Sequence, residues 1–325
     1  MYAHHDDRDV ELCCFEPEHI QKVIEAIQQN FENWFNKFLD TEGKRKLSKE
    51  EFKKMQEKFG IHNPSWNATT DKTSALKRII LLATEDFESD RENYINLLDI
   101  ETLEEYEDDV DTFKNKALRN ECPIIRKTLQ NRRAKSLDKY RHAFNTSDAT
   151  ELLTVVTNLS AFCSEYDTDI YNTDQTASIE SLQLDVLDTG DYTVYGIIGG
   201  GIKSHMLFKV NPAYFSNRSQ MALWAMWFLT DKKTFGCKTD SEFLMIDTKK
   251  CITQQNYFYP YKLFSYYAYI ISILLNKKAI ELNAYINPDY RYVIVDAFLD
   301  FIADSHIDDI SLLTQQIRDE DFYAI

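Results

Sequence analysis

The chain has 325 residues, 53 acidic and 37 basic, giving a formal net charge of −16, and 44% of its residues are hydrophobic. That apolar fraction excludes a globally disordered chain, and the acid excess argues against indiscriminate binding to nucleic acid or to an anionic membrane. The length exceeds the usual reach of one compact core, so two domains or one large helical domain are expected.

The opening Met1-Tyr-Ala-His-His-Asp-Asp-Arg-Asp9 has neither the basic start nor the apolar core of a secretory leader, which points to a cytoplasmic location. The six cysteines (Cys13, Cys14, Cys122, Cys163, Cys237 and Cys251) form no CxxC pair and no repeated spacing. Reduced thiols are expected, with no zinc cluster, no resident metal and no disulfide scaffold.

From Pro17 to Leu39, Ile20, Val23, Ile24, Ile27, Phe31, Trp34, Phe35 and Phe38 recur at three- and four-residue steps, the spacing of an amphipathic helix. Between this helix and the next, Asp40, Glu42, Leu47, Ser48 and Glu51 stand where an EF-hand loop places ligands and its apolar residue. The segment resembles such a loop, but Lys44 replaces an oxygen ligand and Arg45 replaces the turn glycine, so a degenerate helix-loop-helix is expected. Pro64 to Asp71 reads as a loop.

Helical patterning continues to Phe144. Within it, the acidic run Asp99 to Asp111 precedes a basic one with ten Lys or Arg between Lys114 and Arg141. Arg126, Lys127, Arg132, Arg133 and Lys135, on a helix opened by Pro123, could line a phosphate backbone and release its counterions. Equally, acid and base could pair across antiparallel helices as a screened, solvated face. Asn145 to Asp148 offers capping residues ahead of a fresh apolar run, so residues 1–145 form an expected helical domain and 146–325 an α+β domain.

Leu182, Leu184 and Val186 alternate with polar residues, Asp188-Thr-Gly-Asp191 turns the chain, and Tyr192 to Ile198 is rich in β-formers, a pattern that predicts a β-hairpin. Five of the eight glycines lie between Gly190 and Gly201. Against the Walker pattern the run carries one residue too many before Lys203, which misplaces the lysine relative to a phosphate-binding loop of that type. Gly199-Gly200-Gly201-Ile202-Lys203-Ser204 resembles the hairpin of helix-hairpin-helix DNA-binding modules. The resemblance implies phosphate contact by Gly199, Gly200, Gly201, Lys203 and Ser204, with His205 departing from the small residue usual there. The competing reading has the glycines letting the chain pass close to a helix, with Lys203 in solvent.

Arg218 to Leu229 has helical spacing, and Phe243 to Ile246 is a strand candidate. Asp240, Glu242, Asp247 and Lys249 around that strand are similar to the core of PD-(D/E)xK nucleases, with Gln255 and Tyr259 following as in the RecB-like branch. The resemblance implies Mg²⁺ held by the carboxylates and a lysine positioning water; Pro260 and the crowding of both carboxylates on one segment depart from it. Tyr261 to Leu275 and Tyr290 to Ala303 are helical, and the apolar stretch from Leu263 to Leu275 falls short of the ~20 residues that span a bilayer.

The sequence therefore predicts a mainly helical α+β protein with a small sheet and no membrane span. Association with nucleic acid through the glycine turn and the basic helix is the leading expectation. A non-enzymatic acidic adaptor for a protein partner, including a mimic of DNA charge, and a Mg²⁺-dependent nuclease are the alternatives.

Overall fold

The computed structural model describes residues 12–43, 53, 57, 71–131, 137–167, 178–237, 242–247, 252–255 and 259–314. The helices that carry the architecture are α1 (Pro17–Thr41), α2 (Lys72–Glu88), α3 (Arg91–Leu97), α4 (Ile100–Glu105), α5 (Pro123–Gln130), α6 (Asp138–Thr146), α7 (Ala149–Glu165), α8 (Gly200–Val210), α9 (Gln220–Leu229), α10 (Tyr261–Glu281) and α11 (Arg291–Asp304). Ahead of α5, the short turn Val110–Thr112 runs into a nine-residue π-helix, Phe113–Glu121.

Local chemistry sets where these helices begin. Pro17 opens α1, where its fixed φ is pre-organised and no amide is missed. The Asp71 carboxylate accepts from Ser74 N at 2.9 Å, Asp99 from Thr102 N at 3.0 Å, Asp148 from Thr150 N at 2.9 Å and the Ser219 hydroxyl from Ala222 N at 2.9 Å. Each of these caps satisfies an amide that the helix itself leaves open.

Burial then decides packing. All eight apolar positions read as the inner face of α1 are buried. In α9 the whole run Ala222 to Leu229 is buried, so this helix is apolar all round and lies inside the protein. α1 packs against α2 and, from the other side of Asn145, against α9, α10 and α11. Phe31 and Phe38 both meet the ring of Phe298 at 5.5 Å, and Phe38 meets Phe301 at 5.3 Å. Buried residues from Cys14 to Ile310 belong to one hydrophobic cluster.

The expected α+β class is corrected: the protein is mainly helical. Where a hairpin was predicted, the chain makes three 3₁₀ turns, Glu180–Leu182, Asp185–Asp188 and Gly190–Tyr192, and a single bridge from Val194 to Ile198 around Gly196 at φ +80°. The alternating apolar residues are used differently from a strand's. Leu182, Leu184 and Leu187 are all buried and Val186 is 44% exposed, so the two-residue alternation breaks after Leu184. Among the described residues, extended pairing is otherwise confined to one two-stranded ribbon, β1 (Leu244–Asp247) antiparallel to β2 (Ile252–Gln255), which contacts α9. No described helix is long and apolar enough to cross a membrane.

Candidate metal centre

Four ligand-bearing side chains from the two ends of the core converge at the start of α1. Cys14 lies in the 3₁₀ turn Leu12–Phe15, immediately before Glu16 and Pro17 begin the helix, and His19 is in the helix's first turn. Cys237 closes the loop after α9, held by its amide to Thr234 O at 2.9 Å, and Glu242 precedes β1. One ligand atom from each residue can be chosen so that all four lie within 4.8 Å of one another. Cys14 and Glu242 are fully buried, His19 is 5% exposed and Cys237 is half-buried.

The polar contacts inside the cluster are close. His19 Nε2 and Glu242 Oε2 are 2.5 Å apart, and Cys14 Sγ and Cys237 Sγ are 3.6 Å apart. The other carboxylate oxygen, Oε1, accepts the Tyr259 hydroxyl and, at 3.3 Å, the Tyr267 hydroxyl. Two phenols therefore fix the carboxylate plane and leave Oε2 facing the imidazole and the sulfurs. Such outer hydrogen bonds orient a ligand and tune its basicity.

Burial would pull the His19 imidazole toward neutrality, but the hydrogen bond and charge of Glu242 outweigh it, and its pKa lies above the ordinary histidine value. The Cys14 thiol is pushed up by its hydrogen bond to Cys237 and by burial, while Cys237 is drawn down as the acceptor of that bond. A metal ion takes such donors by displacing the protons they carry.

The backbone around the cluster is tightly wound. Six non-glycine residues among those described have positive φ, and four of them, Asp231, Lys232, Phe235 and Glu242, lie on the segment that carries the second pair of ligands. Unfavourable backbone of this kind persists where surrounding interactions over-determine it, as at ligand clamps. The Phe235 ring packs edge-on to the His19 imidazole at 6.0 Å.

A His–Glu ion pair with two tyrosine donors would be a complete buried polar network without any cysteine. The two thiols are the surplus that such a pair does not explain. Two thiolates, an imidazole and a carboxylate are a donor set for zinc or a similar borderline-soft ion, and bonds of about 2.0–2.3 Å place tetrahedral ligand atoms roughly 3.3–3.8 Å apart. The sulfur pair already has that separation, whereas His19 Nε2 and Glu242 Oε2, 2.5 Å apart, must part by about 1 Å to share one ion.

The residues expected from the sequence to act lie elsewhere or turn inward. Lys203 is 3% exposed, and its ammonium donates to Leu187 O and, at 3.1 Å, to Thr193 Oγ1. Burial lowers its pKa to about 8, against the opposing pull of Asp188. The Ser204 hydroxyl donates to Gly201 O and accepts from Arg218 N, both at 3.1 Å. Gly199 is the N-cap of α8, and the buried Arg218 guanidinium lies against Gly200. The expectations of Lys203 and Ser204 as phosphate contacts and of Lys203 in solvent are corrected: the lysine and the serine serve the fold's interior.

In the basic stretch, Arg126 donates to Asn120 O at 2.9 Å, Lys127 lies 3.6 Å from Asp90, and Arg141 pairs with Asp138 at 2.5 Å. Neither aspartate belongs to the Asp99–Asp111 run. Arg132, Arg133 and Lys135 lie outside the described residues, as do Lys44 to Glu51 of the EF-hand-like loop. Of the nuclease-like set, Asp240 and Lys249 also lie outside them, and Asp247 is described only as the backbone end of β1. Glu242, noted with that set, instead joins His19 and the cysteines, and Tyr259 donates to Glu242.

The expectation that the cysteines form no metal site rested on the absence of a CxxC pair. What it passed over is a repeated interval, Cys14-x₄-His19 and Cys237-x₄-Glu242, each placing a sulfur and a second donor five residues apart. No family model, no curated protein and no solved structure matches the chain.

Proposed function

We propose that this chain is a metal-clasped helical scaffold, in which a zinc-class divalent ion held by Cys14, His19, Cys237 and Glu242 fastens the start of α1 to the loop after α9. The observation that carries the reading is the convergence of all four donor atoms within 4.8 Å in a buried setting. Four protein donors complete a tetrahedron and leave no position for water or substrate, which is the signature of a structural rather than a catalytic site. Two surface hollows, of about 230 and 310 Å³, are lined by other residues, among them Arg119 and Gln130 in one and Ile95 and Ser160 in the other.

The test is metal content and spectroscopy on the full chain. The reading expects one zinc per chain after reconstitution and, with Co²⁺ substituted, thiolate-to-cobalt charge-transfer absorption with tetrahedral ligand-field bands. Cys14→Ser and Cys237→Ser should each remove the charge-transfer band in part and the double variant wholly. A chain that takes up neither ion, or binds cobalt with unchanged spectra in the double variant, refutes the reading.

A further inference from the structure

The two sulfurs of the cluster differ in one respect that the metal does not require. Cys14 is fully buried in the turn ahead of α1, whereas Cys237 is half-buried on a loop next to Gly236 at φ +91° and Phe235 at φ +52°. A small oxidant therefore meets Cys237 first, with Cys14 Sγ waiting 3.6 Å behind it. A disulfide needs about 2.05 Å between sulfurs, so closure asks for an approach of roughly 1.5 Å. That approach is divided between the two side chains and the turn at Cys237, which lies in neither helix nor strand and is held by its amide to Thr234 O.

We infer that the clasp is also a hydroperoxide-responsive switch, in which oxidation joins Cys237 to Cys14 and expels the ion; this rests on the metal reading above. In the first step the Cys237 thiolate attacks a peroxide oxygen. An S–O bond forms, the O–O bond breaks, and hydroxide leaves with the electron pair. Cys237 becomes a sulfenic acid, oxidised by two electrons while the peroxide is reduced. In the second step the Cys14 thiolate attacks that sulfur, the S–S bond forms, the S–O bond breaks and a second hydroxide departs. Both hydroxides take up protons, so the balance is two thiolates, one hydrogen peroxide and two protons giving one disulfide and two waters.

Loss of both sulfurs leaves the ion only His19 and Glu242, half of its tetrahedron, and it exchanges into solvent. The imidazole and carboxylate, 2.5 Å apart with both cysteines free, remain partners, so the buried carboxylate stays satisfied. Cys122 and Cys163 are buried, with thiols pushed up to about 12 by burial, so they stand aside from this chemistry.

The experiment treats the zinc-loaded full chain with hydrogen peroxide while a chromogenic chelator reports free zinc and mass spectrometry maps disulfides. The expected result is one zinc released for each Cys14–Cys237 disulfide, with reuptake after reduction and added zinc. Cys14→Ser should let a dimedone adduct accumulate on Cys237, and Cys237→Ser should abolish both adduct and disulfide. Dimedone labelling does not depend on zinc retention, so it remains informative if the Cys14→Ser chain binds metal poorly. Zinc retained with no Cys14–Cys237 disulfide overturns the switch while leaving the metal reading intact. A disulfide from Cys237 to Cys13 or Cys251 also overturns it. A chain that binds no zinc before peroxide is added refutes the metal reading, and the switch with it.

Discussion

The guanidinium of Arg218 packs directly against Gly200, so that a Cβ built there would run into Nη1 and lie 2.9 Å from Cζ. Arg218 is buried and shares the field of Asp188 with Lys203, so it has little freedom to move aside. The triple glycine is thus a matter of close approach, and only one of its members is indispensable. Gly200→Ala should destabilise the protein by about 1–3 kcal/mol, the usual cost of overpacking. Gly201→Ala meets only ordinary contact, Arg218 O at 3.7 Å, and should stabilise by about 0.5–1 kcal/mol through helix propensity. Denaturant midpoints of the two variants should move in opposite directions; equal shifts would contradict the packing account.

Lys203 makes a pH-dependent contribution whose sign follows from its burial. Its pKa in the folded chain is about 8, below the ordinary 10.5. Between those values the unfolded chain holds the extra proton, so stability rises with pH, by at most about 1.4 kcal/mol per pH unit. Denaturation at pH 7, 8, 9 and 10 should show the wild type gaining on Lys203→Met across the upper part of that range. Parallel curves would show that the lysine does not titrate there.

The tyrosines on Glu242 should matter to the metal without touching it. Tyr259→Phe removes the closer donor to Oε1, and Tyr267→Phe the one at 3.3 Å. Loss of such an outer contact typically weakens metal affinity ten- to a hundredfold, so zinc competition titrations should show a clear drop for Tyr259→Phe and a smaller one for Tyr267→Phe. Identical affinity in both variants and the wild type would remove the carboxylate from the ligand set.

Removing the metal should loosen the whole core, because the clasp joins α1 to the segment following α9. With free zinc at a thousand times its dissociation constant, binding to the folded state alone is worth about 4 kcal/mol. A strong chelator should therefore lower the thermal midpoint of the wild type, and leave that of a Cys14→Ser, Cys237→Ser chain where it was. Under alkylation without denaturant, zinc should protect Cys237, its removal should expose that thiol first, and Cys122 and Cys163 should stay unmodified throughout.

How much of this could be read from residues alone depends on the length scale involved. The inner face of α1 and the cap at Asp148 are written in local spacing and are present as expected. Leu182, Leu184 and Val186 misled because a short alternating run fits 3₁₀ turns as well as a strand, and what decides is distant: Asp188 accepts from Tyr261 N at 2.9 Å, pinning the turn to the start of α10. Lys203 was expected to contact phosphate or, on the competing reading, to lie in solvent, yet a lysine can be buried where carbonyl and hydroxyl acceptors receive its ammonium. The metal centre was illegible for a plainer reason: its halves are 223 residues apart, and no local pattern joins them.

That separation also fixes a time order during biosynthesis. A ribosome that has released Cys14 and His19 has more than two hundred residues still to add before Cys237 and Glu242 appear, so early in translation α1 has neither its metal partners nor the aromatic surface of α9 to α11. Domains acquire structure as they emerge at roughly 5–20 residues per second, which leaves this first helix waiting for about ten seconds or more. Assembly of the centre is accordingly a closing event, and a nascent chain arrested before Cys237 should hold zinc far more weakly than the finished one.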